Sequence, residues 1–372
     1  MVDDSGTVAS TKKTQPIVLA IHGGAGTIRR GSMTPEREAE YRHALAEALN
    51  TGYAVLKRGG TALDAVSAAV VVLEDSPLFN AGRGAVLTAD GTVELDAAIM
   101  DGKTLKAGAV ASVRGIKNPV LLARKVMEHT PHVMLVGLGA QRFAREQGVQ
   151  IVHDKYFITK SQRRELERMQ RDNKPSDNKP NSKQSMDEFP RPSSRGQVQP
   201  DTVQIGKTRA YYRKIRSGML RSVYIEERQH NQKFGTVGAV ALDMFGNLAA
   251  ATSTGGMANK RYGRVGDAPI IGAGTYANNA TCAVSATGHG EYFIRNVVAH
   301  DIAALVEYKG LPLQRAASEV VMRKLVECGG VGGVIAVDAL GTIAMPFNSE
   351  GMYRGYINAD GQMYVGIYRD GE

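Results

Sequence analysis

The sequence contains few of the residues that would place it in a specialised class of protein. Only two of its 372 residues are cysteine, Cys282 and Cys328, without paired spacing, so neither a disulfide framework nor a zinc site is predicted. Tryptophan is absent, and the eight histidines show no spacing typical of metal ligands. The most apolar stretch, ALDAVSAAVVVL, is shorter than the roughly 20 residues that cross a bilayer. With 43% apolar and 22% charged residues, the composition predicts a core-forming globular protein.

The amino-terminal residues also lack a targeting signal. The first fifteen, MVDDSGTVASTKKTQ, are polar and have neither the basic start nor the apolar centre of a secretory signal peptide. We interpret residues 1–15 as a polar tail and expect a cytoplasmic protein without a membrane partner.

The formal net charge of +9 comes from one segment of the chain. Residues 160–233 contain 18 basic and 9 acidic residues, so the rest of the chain is neutral overall. The segment is rich in Pro, Ser, Asn, Asp and Lys and nearly free of large apolar residues, which predicts a disordered basic insert with transient helices at its ends. Its tyrosines are mixed with arginines, as in some RNA-binding segments. A solvated linker is the favoured interpretation, and nucleic acid is not expected to bind the globular body.

Residues 16–148 predict a compact mixture of strands and helices. Strands are predicted at 16–21, 105–113 and 132–137, with a hairpin around Asp90-Gly91. Helices are predicted at 35–57, 61–74 and 118–129, and a fourth ends near Gly148. HGGAGTI, at residues 22–28, is interpreted as a glycine turn.

Two segments of similar sequence follow the insert, and each predicts a hairpin. VGAVALDMFGNLAAATSTGGM and GGVIAVDALGTIAMPFNSEGM share an aspartate, a turn glycine and a closing methionine 95 positions apart. Helices are predicted between the hairpins at 291–308 and 312–328. Helices on the faces of largely antiparallel sheets indicate an α+β fold, and four layers (helix, sheet, sheet, helix) suit the length.

Several well-known catalytic patterns are missing from the sequence. HGGAG has neither the Lys-Ser/Thr of a nucleotide-binding loop nor the three-glycine spacing of a dinucleotide fold. No GxSxG motif occurs, so the α/β-hydrolase elbow is absent. Single histidines such as His43 and His300 are more typical of a surface or a core than of a metal site.

Small polar residues and glycines are concentrated between residues 236 and 291. TSTGG, GRVGD, GAGTYANN and SATGHGE follow one another there, and glycines let backbone N–H groups approach a ligand closely. Within GRVGD, Arg264 and Asp267 offer a guanidinium and a carboxylate three residues apart. Alone, such a pair is more often a surface ion pair, but beside these glycines it can bind the carboxylate and the ammonium of one zwitterion.

Thr236 stands where the basic insert meets this region, directly after Gly235. A threonine hydroxyl is a weak nucleophile without a neighbouring base, and its own α-amino group, with a pKa of about 8, can be that base. The amine exists only if the bond between Gly235 and Thr236 is cut. Gly235 has no Cβ and tolerates a strained backbone that would favour attack of the Thr236 hydroxyl on the Gly235 carbonyl. We therefore predict autocleavage at this bond.

Eight motifs in this order resemble the plant-type asparaginase and isoaspartyl peptidase family of N-terminal nucleophile hydrolases: IHGGAG, PLFNAGRGAVLT, ELDAAIMDG, GTVGAVALD, ATSTGGM, GRVGD, GAGTYANN and TGHGE. The resemblance covers the chain apart from the tail and the insert. It implies a four-layer αββα fold in a single domain, cut into an α subunit (residues 16–235, behind the tail) and a β subunit (residues 236–372). It also implies an (αβ)₂ homodimer that hydrolyses L-asparagine and β-aspartyl dipeptides.

Carried over position by position, the resemblance assigns the catalytic groups. Thr236 is the nucleophile, Thr254 is a second hydroxyl that tunes it, and Asn80 lies near the nucleophile in the substrate site. Thr287 and the N–H of Gly288 form the oxyanion hole, where one donor typically contributes about 3 to 4 kcal/mol of transition-state stabilisation.

The same resemblance assigns the groups that bind the aspartyl part of a substrate. Arg264 and the N–H of Gly290 hold the α-carboxylate, and Asp267 and the carbonyl of Gly288 hold the α-ammonium. No catalytic cofactor is implied. A structural sodium ion is implied, held by the backbone carbonyls of Leu73, Glu74, Ser76, Phe79, Ala81 and Arg83.

Three alternatives stay open on the sequence alone. Glycosylasparaginases share the mechanism, although the secretory signal that a lysosomal member needs is missing here. A non-enzymatic scaffold is the second alternative, with the basic insert binding nucleic acid or another polyanion in a salt-sensitive way that depends on residues 160–233. The third is a hydrolase fold that never matures. The insert is also much longer than the usual linker of the family.

Overall fold

The structure, a computed structural model, describes residues 16–172, 211–214, 220–223 and 233–369. The helices are α1 Pro35–Lys57, α2 Ala62–Asp75, α3 Pro119–His129, α4 Gly137–Glu146, α5 Lys160–Asp172, α6 Gly290–Asn296, α7 Val298–Lys309, α8 Leu313–Ser318 and α9 Leu325–Glu327. The strands are β1 Val18–Gly26, β2 Leu95–Asp101, β3 Ala107–Val113, β4 Met134–Val136, β5 Tyr211–Lys214, β6 Leu220–Val223, β7 Lys233–Phe234, β8 Val237–Leu242, β9 Leu248–Thr254, β10 Thr275–Ala277, β11 Cys282–Gly288, β12 Gly332–Asp338, β13 Ile343–Ala344, β14 Gly351–Ile357 and β15 Met363–Tyr368.

Most of the strands belong to two sheets. The larger sheet has the order β15-β14-β1-β8-β9-β2-β3-β4, and β7 pairs with the end of β1. The smaller sheet has the order β10-β11-β12-β13, while β5 and β6 pair with each other. Neighbouring strands are antiparallel except for β3 and β4. The predicted α+β class with largely antiparallel sheets is confirmed.

Alternate residues of the central strands face different hydrophobic clusters, as the two-residue period of a strand requires. In β1, Leu19 and Ile21 pack with the helices α1 and α2, whereas Val18 and Ala20 pack against the smaller sheet. The smaller sheet contributes Ile335 to the same inter-sheet cluster, and α7 and α8 cover its other face. Full burial of such a side chain typically contributes about 1.5 to 3 kcal/mol, so these clusters hold the sheets together.

The layer between the sheets changes from apolar to polar along the strands. Val18, Leu248 and Ala283 form part of its apolar end. Further along the same strands, the buried positions of the same parity are His22 of β1, Thr252 and Thr254 of β9, and Ser285 and Thr287 of β11. Buried polar groups need hydrogen-bond partners, so this end of the layer has to be built as a polar site.

The predicted helix starts are confirmed at their caps. The Thr34 side chain accepts a hydrogen bond from the Arg37 N–H at 3.3 Å, and Thr61 accepts one from the Asp64 N–H at 3.1 Å. Pro119 occupies the first turn of α3, as its missing N–H allows. Among the described residues, no helix is long and apolar enough to cross a membrane.

The prediction of a glycine turn at residues 22–28 is wrong. Strand β1 continues through Gly26 and pairs with β14 on one side and with β8 on the other. The glycines instead serve a bulge, because the register with β14 shifts between His22 and Gly24, and Gly24 has a φ of +115°. The motif therefore carries His22 and Ala25 into the interior rather than round a surface turn.

The helix predicted at the start of the insert is present, and it is attached to the rest of the chain rather than transient. Residues 160–172 form α5, on which Leu166 is buried and Gln162 donates a hydrogen bond to the Gly84 carbonyl at 2.7 Å. One apolar face and a few polar contacts are enough to attach this otherwise charged helix. The rest of the insert lies outside the described residues except for the short strands β5, β6 and β7.

Two smaller differences concern the predicted hairpin at Asp90 and the helix at 291–308. A turn is present at Asp90, where the Thr88 N–H bonds to the Thr92 carbonyl at 2.8 Å, but residues 85–88 form no strand. The helix is divided into α6 and α7 at Val297, which has a φ of +50°. A π-helical turn, Glu319–Lys324, joins α8 to α9.

Candidate active site

The two hydroxyl groups predicted to act together meet at the open end of the hairpin formed by β8 and β9. Thr236 directly precedes β8, and Thr254 is the last residue of β9. The Thr236 hydroxyl donates a hydrogen bond to the Thr254 Oγ1 over 3.2 Å. Thr254 also accepts a hydrogen bond from the Gly256 N–H at 2.9 Å. Both side chains are buried, so the hairpin brings the two hydroxyls together away from bulk water.

A chain of buried hydrogen bonds supports the backbone of Thr236. The Nδ1 of His22 bonds to the Thr236 carbonyl at 2.8 Å, and its Nε2 bonds to the Ser285 Oγ at 2.8 Å. From Ser285 the chain continues to the Thr252 Oγ1 at 2.7 Å, and from there to the Thr275 Oγ1 at 2.6 Å. Strands from both sheets are thus joined beneath Thr236, which fixes its carbonyl relative to the rest of the site.

Burial keeps His22 neutral. Removal of the ring from water lowers its pKa from 6.5 to about 3, and the hydrogen bond to Thr236 opposes this shift only in part. A carbonyl oxygen can only accept a hydrogen bond, so Nδ1 carries the ring proton and donates a hydrogen bond to the Thr236 carbonyl. Nε2 accepts a hydrogen bond from the Ser285 hydroxyl. His22 therefore positions Thr236 and does not exchange protons near neutral pH.

The sequence contains a signal for this network, although His22 was not among the predicted site residues. A Cβ at Gly238 would overlap both the Ser285 Oγ and the His22 Nε2, so only glycine in VGAVALD lets these two groups meet. Val18 and Ala20 of the same strand face the layer between the two sheets, and His22 continues this series of alternate residues. Strand period applied to HGGAG would have placed the histidine in the interior.

Gly235 packs tightly against the loop that carries Asn80. A Cβ at Gly235 would lie 2.7 Å from the Asn80 Cβ, and the Gly235 carbonyl is 3.4 Å from the Thr254 hydroxyl. The φ of Gly235 lies outside the left-handed region, so the requirement for glycine is steric rather than a matter of that angle. Asn80 itself donates to the Gly256 carbonyl at 2.7 Å and accepts from the Val86 N–H at 2.9 Å. It thereby fixes the turn after Thr254.

Arg264 forms a two-point ion pair with Glu291. Its Nε and Nη2 each lie 2.9 Å from a carboxylate oxygen of Glu291, which also lies 3.1 Å from the His289 Nε2. Burial alone would raise the pKa of Glu291, but the hydrogen bonds from His289 and Arg264 outweigh it and hold that pKa well below its usual range. The Arg264 Nη1 lies next to Gly266, where an added Cβ would be 2.9 Å from it.

Asp267 is a buried carboxylate with unused hydrogen-bonding capacity. Its Oδ2 has no hydrogen-bond partner among the described residues. Burial raises the pKa of Asp267 to about 7, although the charge of Arg264 opposes the shift. A cation placed beside Oδ2 would both ionise the group and satisfy it, which suits an ammonium ligand.

These groups surround one small cavity. It has a volume of about 20 Å³ and is lined by Gly235, Thr236, Thr254, Gly256, Met257, Arg264, Gly266, Asp267 and Gly288. Gly290 lies alongside, because a Cβ there would be 2.9 Å from both the Arg264 Nη2 and the Asp267 Oδ1. Thr287 is next to the cavity-lining Gly288, and its Oγ1 accepts a hydrogen bond from the Ala25 N–H at 3.2 Å.

The loop predicted to hold sodium turns several carbonyl groups inward. A Cβ at Gly82 would overlap the Glu74 carbonyl oxygen, and one at Gly84 would overlap that of Phe79 and lie 3.0 Å from that of Pro77. Gly82 has a φ of +47°. Three carbonyl oxygens of this loop thus lie against its glycines, and oxygen atoms are the ligands that a hard cation takes. No group of three or more His, Cys, Asp or Glu side chains converges as metal ligands do within the described part of the chain.

A comparison with protein families identifies the group to which these features belong. The family model described as asparaginase matches residues 14–367. The chain belongs to the asparaginase family. An isoaspartyl peptidase of Salmonella typhimurium is 49% identical over 353 residues, which are 95% of this chain and 99% of that protein. The isoaspartyl peptidase of Escherichia coli is 48% identical over 353 residues, 95% of this chain and 96% of that protein. A probable isoaspartyl peptidase/L-asparaginase 2 of Arabidopsis thaliana is 41% identical over 351 residues, 94% of this chain and 98% of that protein.

In this asparaginase-family chain, most of the predicted site residues lie around the small cavity. Asn80 does not line it: Asn80 contacts the lining residues Gly256 and Gly235, and its side-chain oxygen also accepts from the Val86 N–H. Glu291, like His22, was absent from the predicted site although it binds Arg264 directly. The TGHGE motif places it one residue after Gly290, which was a usable signal.

Proposed function

We propose that this chain is an autoprocessing amidohydrolase that converts L-asparagine to L-aspartate and ammonia and cleaves β-aspartyl dipeptides. The observation that carries the proposal is the convergence of Thr236, Thr254, Arg264 and Asp267 on one cavity. A hydroxyl nucleophile beside a cation and an anion fits a zwitterionic substrate whose side-chain amide is attacked. The names of the relatives support the same substrates and favour them over those of a glycosylasparaginase.

Recognition depends on the two charged side chains. The substrate ammonium would bind the Asp267 Oδ2, which is buried without a partner within the described chain. The substrate carboxylate would bind Arg264, either through Nη1 or by displacing Glu291 from Nε and Nη2. Because both side chains contact the aspartyl part of the substrate, they do not select among different leaving groups.

The chemistry is acyl transfer in two steps. The α-amino group of Thr236 takes the hydroxyl proton, Oγ1 attacks the side-chain amide carbon, and the C–N bond breaks as the proton passes to the leaving ammonia or amino acid. The Thr287 hydroxyl and the Gly288 N–H would stabilise the oxyanion. Water then attacks the ester carbon, and the Thr236 oxygen leaves with a proton as aspartate is released. His22 keeps the Thr236 carbonyl, and with it the amine, in place.

Maturation uses the same hydroxyl on a different carbonyl. The Thr236 oxygen would attack the Gly235 carbon, and the Thr254 hydroxyl, 3.4 Å from the Gly235 oxygen, is placed to stabilise the developing charge. The C–N bond breaks as the Gly235 acyl group passes to the Thr236 oxygen and the hydroxyl proton passes to nitrogen, which frees the amine. Water then hydrolyses the ester to a Gly235 carboxylate and the Thr236 hydroxyl. The close contact of Gly235 with Asn80 would exclude a larger residue at this position.

Finer features of the family arrangement are part of the same proposal. Three hydrophobic clusters, two beneath helices and one between the sheets, support four layers in the order αββα. The inward carbonyls of Glu74 and Phe79 support a sodium ion in the loop 73–83. If the loop binds sodium, thermal unfolding should occur at a higher temperature in sodium chloride than in choline chloride of equal ionic strength. The (αβ)₂ homodimer and the cytoplasmic location stay predictions.

The experiment that tests the proposed function combines maturation with turnover. Purified protein should run as two fragments on a denaturing gel, and the amino-terminal sequence of the smaller one should begin at Thr236. The same material should release ammonia from asparagine and aspartate from a β-aspartyl dipeptide. Active protein that remains a single uncut chain would contradict the mechanism.

The scaffold alternative requires a separate deletion. Because α5 contacts Gly84 through Gln162, residues 160–172 should be kept and only residues 173–230 removed. We expect this deletion to leave hydrolysis intact. Loss of salt-sensitive polyanion binding together with an inactive parent protein would favour the scaffold instead.

A further inference from the structure

We propose that a cavity next to the active site, with an aromatic cluster in its wall, binds the leaving amino acid of a β-aspartyl dipeptide and favours a large apolar or aromatic residue there. This inference rests on the proposed function, because it extends the same site to the second half of the substrate. It concerns the part of the substrate that Arg264 and Asp267 do not contact.

The cavity is larger than the one around Thr236, and a cluster of aromatic side chains forms part of its wall. Its volume is about 220 Å³. Tyr41 and Tyr353 stack on its wall with ring centroids 4.3 Å apart, and Phe79 meets them edge-on at 5.7 and 6.1 Å. Leu78 and Met169 add aliphatic surface. An apolar cavity of about 150 Å³ accepts a benzene ring in other proteins, so this one has room for a phenylalanine side chain.

The two cavities share a wall that places the larger one on the leaving-group side. Gly235, Gly256 and Met257 line both of them, whereas Arg264 and Asp267 line only the smaller one. An aspartyl group held by these two charges points its side-chain amide at Thr236, and whatever is bonded beyond the amide nitrogen must extend away from them. Gly235 stands between Thr236 and the larger cavity, and cleavage of its bond to Thr236 frees it to move.

Helix α5 closes the cavity on the side away from the sheet. It contributes Gln162, Glu165, Arg168 and Met169 to the lining. The helix is fixed by the hydrogen bonds of Gln162 to Gly84 and of Gln170 to the Ala89 carbonyl, at 2.7 and 2.9 Å. Because α5 precedes the cleavage site by more than sixty residues, it stays in the α subunit after maturation.

Charged side chains also line the cavity, among them Arg37, Glu165 and Arg168. Arg168 pairs with Glu165 at 2.6 Å and Arg37 with Glu40 at 2.7 Å, all on partly exposed side chains. Exposed pairs of this kind contribute little and exchange partners readily. A free carboxylate of the leaving amino acid can therefore meet one of these arginines while its side chain packs against the aromatic cluster.

The test is a substrate series on the matured protein. We expect kcat/KM for β-aspartyl-phenylalanine and β-aspartyl-leucine to exceed that for β-aspartyl-glycine by roughly tenfold or more, the usual discrimination of an apolar pocket. Asparagine, whose leaving group is ammonia, reports on the aspartyl site alone. Equal values across the dipeptides, with asparagine turned over normally, would overturn the subsite and leave the proposed function standing. Failure of every substrate would overturn both.

Two variants of Met169 on α5 test whether this cavity causes the preference for a large apolar leaving residue. Met169→Asp places a carboxylate in the apolar wall and should lower the ratio of β-aspartyl-phenylalanine to asparagine turnover about tenfold. Met169→Leu keeps the wall apolar and should leave the ratio within about twofold. An unchanged ratio in Met169→Asp would show that the cavity does not receive the side chain. The substrate series on the unaltered protein decides the matter if Met169→Asp does not fold.

Discussion

The hairpin of β8 and β9 and that of β12 and β13 have the same turn but different second strands. Asp243 accepts hydrogen bonds from the N–H groups two and four residues on, at 3.0 and 2.9 Å, and Asp338 does the same at 2.9 and 2.8 Å. The turn glycines are also alike, with a φ of +79° at Gly246 and +82° at Gly341. An aspartate and a glycine three residues apart are enough to form the turn in either sheet.

The second strands diverge because the residues after the two turns differ. Strand β9 runs for seven residues and pairs on both sides, whereas β13 has two residues and ends the smaller sheet. Pro346 stands shortly after β13 and has no N–H to donate, which stops a ladder from continuing. The position equivalent to Thr254 is Ser349, whose hydroxyl bonds locally to the Gly351 carbonyl at 2.8 Å.

The comparison of the two hairpins separates the residues that build the fold from those that belong to the candidate active site. Both hairpins supply inward apolar residues to the layer between the sheets. Only the first also carries Thr252 and Thr254 at its open end, opposite the start of β8, where Thr236 stands. The chemistry therefore depends on a few hydroxyls added to a hairpin whose structural pattern occurs twice.

Removal of the Thr236 hydroxyl should have the largest effect. Thr236→Ala leaves no nucleophile for maturation or for turnover, so we expect one uncut band and no release of ammonia from asparagine. Thr236→Ser keeps a hydroxyl and should still be cut and active, at a reduced rate. A cut or active Thr236→Ala protein would show that the nucleophile lies elsewhere.

The second prediction compares the two equivalent hydroxyls. Thr254→Val removes the group 3.2 Å from the Thr236 Oγ1 and should slow both maturation and turnover about 100-fold, the usual cost of one transition-state donor. Ser349→Ala, the matched change in the other hairpin, should leave both rates within a few-fold. Rates for maturation come from gels of freshly purified protein, and rates for turnover from ammonia release. Equal losses in the two variants would mean that both hairpins act only through stability.

His22 offers a test of positioning without a change of chemistry. His22→Gln can keep the bond to Ser285 but loses the donor to the Thr236 carbonyl, so we expect kcat to fall about tenfold, as for a lost hydrogen bond to a buried group. His22→Asn can place an amide N–H near the position of Nδ1 and should retain more activity. The pH profile of each variant should match that of the parent, because His22 is neutral above about pH 5. A profile that moves with His22 would instead assign it a proton-transfer role.

Each hairpin is followed by a segment with a buried charged side chain, Asp267 after the first and Arg354 after the second. The two differ in their hydrogen-bond partners, and from this difference we predict how kcat/KM depends on pH. Arg354, after the second, donates to the carbonyls of Met352 and Tyr368 at 3.2 and 3.0 Å. Asp267, after the first, has an unpartnered Oδ2 among the described residues and a pKa raised to about 7. A carboxyl group with this pKa is neutral below it and ionised above it, and only the ionised form attracts an ammonium.

We therefore expect kcat/KM for asparagine to rise between pH 6 and pH 8, because Asp267, with a pKa of about 7, and the Thr236 amine, with a reference pKa of about 8, both lose a proton there. Ionisation of Asp267 alone accounts for up to about tenfold of this rise. Asp267→Asn should bind substrate more weakly at every pH and lose only the part of the rise that comes from Asp267. A rise of equal size in the parent and in Asp267→Asn would mean that Asp267 is already ionised in the free protein.

The sequence specified the site better than it specified how the site is supported. Thr236, Arg264 and Asp267 were predicted because a nucleophile and two opposite charges are unusual among glycines, and the three line one cavity. His22 was missed because HGGAG was interpreted from its glycines alone, and the reason for Gly238 is visible only when Ser285 of another strand is opposite it. Contacts between strands far apart in sequence have no local pattern.

Helices were predictable where their ends carry a signal. Thr34, Thr61 and Pro119 mark starts that the structure confirms. Helix α5 was underestimated because its composition is dominated by charge, and only its contact with Gly84 and the burial of Leu166 attach it. The division at Val297 follows from tertiary packing, since an ordinary valine with a φ of +50° has no signal in the sequence.

The smallest predicted effect concerns the shared turn itself. Gly246→Ala and Gly341→Ala each place a Cβ on a residue with positive φ, which costs about 1 kcal/mol of the free energy of unfolding. At Gly341 the Cβ would also lie 3.3 Å from Val18 and 3.4 Å from Pro16, so the loss there should be at least as large. Urea unfolding measures both losses, and kcat should stay unchanged because neither turn is near Thr236. A fall in kcat for Gly246→Ala alone would show that the turn of the first hairpin, unlike that of the second, helps to position the hydroxyls at the other end of its strands.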